Sequence, residues 1–172
     1  MAGKATKAAH NAYYLARMEA AATNTKFNSR EGASELVRIE RTRLARIEGS
    51  DIFPYPEEVL MMANIYNAPE LNNYFCYKQC PIGKHIAPKV EVLGIDRVTI
   101  EVLYSLEHID HVGKDLLEIT ADGVISKKEE PKLKSIIDAL DELSVNAQKL
   151  KLSVQKKLNR KGDLIYGDAS CR

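Results

Sequence analysis

From Ile95 onward the chain carries two long stripes of apolar residues spaced three or four apart, and that spacing is the signature of helix. The first stripe is Ile95, Val98, Val102, Leu106, Ile109, Val112, Leu116 and Ile119. The second is Leu133, Ile136, Leu140, Leu143, Ala147, Leu150, Val154 and Leu158. A helical turn takes about 3.6 residues, so each stripe runs down one side of an amphipathic helix. At about 1.5 Å per residue such helices extend on the order of 35–40 Å. Asp122-Gly123 supplies the turn between them, and the pair predicts a helical hairpin over 95–159.

Composition then sets the class of chain. Hydrophobic residues make up 45% and charged ones 28%, with no Trp, which predicts a soluble, helix-rich globular protein. A length of 172 residues has room for one compact domain or two small ones without a metal or a disulfide. The three cysteines, Cys76, Cys80 and Cys171, cannot all pair, and no charged-then-apolar leader opens the chain, so a reducing, cytoplasmic setting is expected. No apolar run approaches the roughly 20 residues that cross a bilayer, so no membrane partner is expected.

Before residue 76 the periodic segments are short and punctuated. Ala, Leu and Met density from His10 to Ala22 predicts a helix with Tyr14, Leu15, Met18 and Ala22 on its buried face. Asn28-Ser29 are cap candidates for a second helix over Arg30 to Val37, with Ala33, Leu36 and Val37 at helical spacing. A third runs from Glu40 to Glu48, with Leu44 and Ile47 inward, and Gly49-Ser50 stops it. Pro56 fits the first turn of a fourth helix carrying Val59, Leu60, Met62, Ala63 and Tyr66, and Pro69 opens a fifth to about Phe75.

The net charge of +1 gives no hint of a polyanionic partner, but its distribution does. Residues 1–50 hold nine basic side chains against five acidic ones, and four arginines fall between Arg38 and Arg46. Two short helices a few residues apart are the arrangement that lets one lie in a DNA major groove while its neighbour braces it. The run from Ser29 to Glu48, with anchors Ala33, Val37, Ile39, Leu44 and Ile47 and the ending Arg46-Ile47-Glu48, resembles the helix-turn-helix of lambda-repressor-like transcriptional regulators of the xenobiotic-response-element type. Tyr55 to Ala63 looks like that family's fourth helix. The resemblance covers roughly residues 10–75. Two positions depart from it: Ser34 stands where the helices cross and Ala is usual, and Arg38 stands in place of the turn glycine. A left-handed backbone at Arg38 would cost roughly 1–2 kcal/mol.

The resemblance implies a five-helix DNA-binding domain and double-stranded DNA as partner. It places Glu40, Arg41, Thr42, Arg43 and Arg46 at base edges, with Arg41 and Arg43 foremost because a guanidinium spans O6 and N7 of guanine. Ser29, Arg30 and Arg38 are the expected phosphate contacts, which position without specifying sequence.

Other motifs have plainer readings. Cys76 and Cys80 are four apart with His85 nearby, which could serve a metal or a redox sensor, but packing of small thiols is the default. Glu118 to Glu129 has the outline of a calcium loop with poor ligands, and a capping box between Ser126 and Glu129 explains its ending. His108 and His111 read as surface residues. There is no phosphate-binding glycine loop, nucleophile elbow or acid-base pair, so no catalytic residue, cofactor or metal is expected.

The expectation is an all-α chain: a flexible start (1–9), a lambda-repressor-like domain (10–75), a linker (76–94), a helical hairpin that pairs two copies (95–159) and a flexible tail (160–172). Its expected function is sequence-specific regulation of transcription as a homodimeric repressor, the sign of regulation being implied by the family. The alternatives are a protein-interaction module with a degenerate helix-turn-helix, and a sensor in which an effector gates DNA binding.

Overall fold

A computed structural model describes residues 7–159, and among them the regular elements are helical, with no strand. The eight α-helices are α1 (Ala12–Ala21), α2 (Arg30–Val37), α3 (Arg41–Glu48), α4 (Pro56–Ile65), α5 (Glu70–Lys78), α6 (Gly83–Ile86), α7 (Ile95–Ile119) and α8 (Glu130–Asn159). Single 3-10 turns cover Lys7–His10 and Thr25–Asn28. Of the described residues, those up to Lys89 and from Gln155 onward form one compact unit, and Val90–Val154 form a second. Most of the expected flexible start, and all of the expected tail with Cys171, lie outside the described residues.

In the first unit, side-chain caps set the helix starts. The Asn11 side-chain oxygen accepts from the amides of Tyr13 (2.9 Å) and Tyr14 (3.0 Å), while its Nδ2 donates to the Ile47 carbonyl at 2.8 Å. One residue thus begins α1 and ties it to the end of α3. Ser29 caps α2 through the Gly32 amide, and Pro56 stands at the first position of α4, where a missing N–H costs nothing. The core joins Tyr13, Ala16 and Ala20 of α1, Ala33 and Val37 of α2, Leu44 and Ile47 of α3, and Val59, Met62 and Ala63 of α4. Phe27 and Tyr66 meet edge to face at 5.3 Å within it. Burying each large apolar side chain contributes about 1.5–3 kcal/mol.

α1 turns a different side inward from the one its apolar residues suggest. Tyr13, Ala16, Arg17 and Ala20 are buried, whereas Leu15 is 50% exposed and Met18 38%. That side takes Tyr13, Ala16 and Ala20 into the core and also satisfies a buried charge. Arg17 meets the buried carboxylate of Glu48, and an unpaired buried carboxylate would cost more than two partly exposed apolar side chains.

The segment 76–94 is also more ordered than a plain linker. α5 runs on to Lys78, and the single turn α6 packs so closely against it that a Cβ on Gly83 would collide with the Cys76 carbonyl. The division between the units falls inside this segment, at Lys89/Val90. The end of α8 belongs to the first unit, where Lys156 pairs with Glu19 (2.9 Å) and Glu70 (2.7 Å).

The second unit is built from α7 and α8 up to Val154. Val98, Ile119 and Ile136 are buried, and so are Ser105, Asn146 and Ser153. Asn146 Nδ2 donates to Ser105 Oγ at 2.8 Å, and Lys149 donates to Asn146 Oδ1 and the Glu101 carboxylate at 3.0 and 2.9 Å. Leu106, Leu116 and Leu140, expected in the stripes, are exposed, while the polar Ser105, Asn146 and Ser153 are among the buried residues of the unit. Gly123 takes the turn with φ 72°. The Ser126 cap is one-sided: its amide and hydroxyl both donate to the Glu129 carboxylate, at 2.8 and 2.6 Å.

Candidate functional site

Between α2 and α3 the chain turns within three residues. Arg38 takes a left-handed backbone (φ 54°, ψ 36°), Ile39 drops into the core, and Glu40 caps α3. The Glu40 carboxylate accepts from the amides of Thr42 (2.8 Å) and Arg43 (2.9 Å), the Thr42 bond being the larger cause that holds its pKa below the ordinary glutamate value. An anion at the start of a helix also complements the helix dipole.

α3 buries Leu44, Ile47 and Glu48 and turns Arg41, Thr42 and Arg46 outward. Among the described residues Arg38, Arg41 and Arg46 have no carboxylate within ion-pair distance. Ser29, Arg30 and Glu31 from the start of α2 and Arg41, Thr42 and Ala45 from α3 line an open cleft of about 430 Å³. The cleft therefore sets the exposed Arg41 guanidinium beside the Ser29 and Thr42 side chains and the Glu31 carboxylate, while the Gly32, Thr42 and Arg43 amides are taken by the two caps.

Two of the expected contact arginines, Arg43 and Arg30, and the buried Arg17 are engaged within the fold. Arg43 pairs with Glu58 of α4 through Nε and, at 2.8 Å, through Nη2, and its guanidinium carbon lies 4.2 Å from the centre of the Tyr55 ring. Burial is the largest influence on Glu58 and raises its pKa. The hydrogen bonds from Arg43 and the Tyr55 amide outweigh it, and the carboxyl is held below its ordinary value. Arg30 donates from Nε to Glu48 at 2.7 Å. Arg17 donates to both Glu48 oxygens (2.6 and 3.0 Å) and from Nη1 to the Phe27 carbonyl at 2.6 Å.

The eight expected contact residues thus fall into groups. Arg41, Thr42, Arg46, Arg38 and Ser29 are exposed. Arg30 and Arg43 are partly covered and paired, and Glu40 is committed to its cap. Sequence reasoning missed the partners: Tyr55, Glu58 and Arg17. A glutamate three residues after Tyr55, at the start of α4, was a visible capping signal, but nothing local linked it to Arg43.

Elsewhere, no group of three or more His, Cys, Asp or Glu among the described residues is placed to hold a metal. The Cys76 thiol is pushed up by burial and then by Cys80, and Cys80 Sγ accepts from the Gly83 amide at 3.4 Å. His108 stands exposed against Tyr104, with ring centres 4.4 Å apart. Among the described residues no helix is long and apolar enough to cross a membrane. No family model, curated protein or solved structure matches this chain.

Proposed function

We propose that the first unit is a lambda-repressor-like helix-turn-helix domain, and that the chain is a sequence-specific regulator of transcription that reads the DNA major groove with α3. One observation carries this reading: α2 and α3 are joined by a three-residue turn, and α3 presents Arg41, Thr42 and Arg46 outward with its apolar side held in the core. The first residues of such a helix meet base edges, and the neighbouring helix start, here Ser29 and Arg30, lies against phosphate.

A single domain of this kind covers half an operator, so the working form is a homodimer, and the family resemblance makes it a repressor. The second unit supports the pairing. Its two helices leave Ile100, Leu103 and Leu117 more than half exposed, and a second copy related by a two-fold axis would cover apolar surface of that kind.

The test is selection from a random duplex pool at several salt concentrations, with an Arg41→Ala, Arg46→Ala double variant beside the parent, and the mass of the protein and its complex measured by light scattering. The expected result is an enriched two-fold symmetric motif, bound by two chains, with affinity falling steeply as salt rises and recognition weakened in the variant. A parent that enriches nothing and matches its variant would replace this reading with a protein-interaction role.

A further inference from the structure

Arg43 is the third residue of α3 and Glu58 the third of α4, and they meet edge to edge. A guanidinium has five N–H groups in one plane. Glu58 takes the one on Nε and one on Nη2. Both on Nη1 and the second on Nη2 remain, and they include the parallel pair along the end-on edge. That pair is the fork that matches O6 and N7 of guanine.

The orientation of the fork is held from two directions, by the Glu58 carboxylate along one edge and by the Tyr55 ring on one face. Glu58 Oε2 also accepts the Tyr55 amide at 2.7 Å, so the carboxylate is itself anchored to backbone. The Tyr55 ring lies under the guanidinium, on which a cation–π contact restricts tilt. The Arg43 side chain nonetheless keeps 29% of its surface exposed. An arginine ordered before its ligand arrives loses less rotamer freedom on binding than an unrestrained one.

We infer that Arg43 reads one guanine through its end-on edge and that Glu58 and Tyr55 are the positioning residues that aim it, an inference that rests on the DNA-reading function proposed above. Arg41 and Arg46, which lack such a clasp, adapt to neighbouring bases or phosphates. The Glu58 charge beside it also weakens the general pull of Arg43 on phosphate.

The experiment uses the full chain and the duplex it selects, with each guanine in turn replaced by 7-deazaguanine, which lacks the N7 acceptor. Parent, Arg43→Ala, Glu58→Ala and Glu58→Gln proteins are compared, each checked by circular dichroism. The parent is expected to lose about 10-fold in affinity at one guanine and Arg43→Ala to be indifferent there. Glu58→Ala should hold unselected DNA at least as tightly as the parent, since a negative charge is gone, while its discrimination at that guanine falls several-fold. Glu58→Gln, which keeps one acceptor oxygen, should lie between them.

An enriched motif with Arg43→Ala still sensitive at every guanine would overturn the guanine assignment and leave the proposed function standing. A Glu58→Ala protein that melts earlier yet discriminates as the parent does would make the pair a structural clasp and overturn the positioning role. A parent that enriches no motif would remove both the function and the inference.

Discussion

Replacing Glu48 by Leu tests the charge network that joins α1, α2 and α3. The Glu48 side chain is 0% exposed and accepts from Arg17 Nε, Arg17 Nη2 and Arg30 Nε at 2.6, 3.0 and 2.7 Å. Without it, Arg30 turns to water, since its side chain is already 39% exposed. Arg17 has no such exit. It is 3% exposed and would keep the Phe27 carbonyl and a weak contact with the Met18 sulfur at 3.7 Å. A buried charge stripped of its partner costs about 3–5 kcal/mol, against about 5–15 kcal/mol for a whole domain. Glu48→Leu should therefore lose a large share of the unit's stability.

Arg17→Met, Glu48→Leu together should recover most of that loss, because two apolar side chains then face each other in the same space. The coupling between the two changes is expected at about 2–4 kcal/mol. Urea unfolding followed by near-ultraviolet circular dichroism reads the first unit, which holds six of the seven tyrosines among the described residues. A loss under about 1 kcal/mol for Glu48→Leu, or a double variant weaker than either single one, would refute the reasoning.

Three further outcomes follow from the geometry. Arg38→Gly should raise the midpoint of thermal unfolding by about 2–6 °C. Relief of the left-handed β-carbon contact, about 1–2 kcal/mol, exceeds the added freedom of the unfolded chain, and Arg38→Ala should show no gain. The pairing of Glu58 holds its folded pKa below the unfolded value, so its stabilisation is complete above the ordinary glutamate range near about 4.3. It is lost as pH falls through the lowered folded value, and urea midpoints measured from pH 7 to pH 3 should fall less steeply for Glu58→Gln. Asn146→Ala leaves Ser105 Oγ and the Lys149 ammonium each short of a partner, at about 1–2 kcal/mol. Amide hydrogen exchange along α7 should then quicken near Ser105, and unchanged protection there would count against the cluster.

The positions of the helices are legible in the amino-acid sequence because the signals are local. Ser29, Pro56 and the three- and four-residue apolar steps each act within a turn or two of backbone. The exposed half of the site is legible for the same reason: Leu44 and Ile47 must face inward, and Arg41, Thr42 and Arg46 are then left outside.

Tertiary structure decided what lies between elements. α1 rotates to deliver Arg17 to Glu48, 31 residues away, and exposes Leu15. Arg43 is claimed by Glu58, 15 residues on, while Arg41, two residues before it, finds no such partner. In the hairpin, the buried bond between Ser105 and Asn146 spans 41 residues of sequence. Apolar periodicity reports which face of a helix avoids water, but a buried charge or amide is placed by whichever partner the packing brings within about 3 Å, and that distance is a property of the folded chain alone.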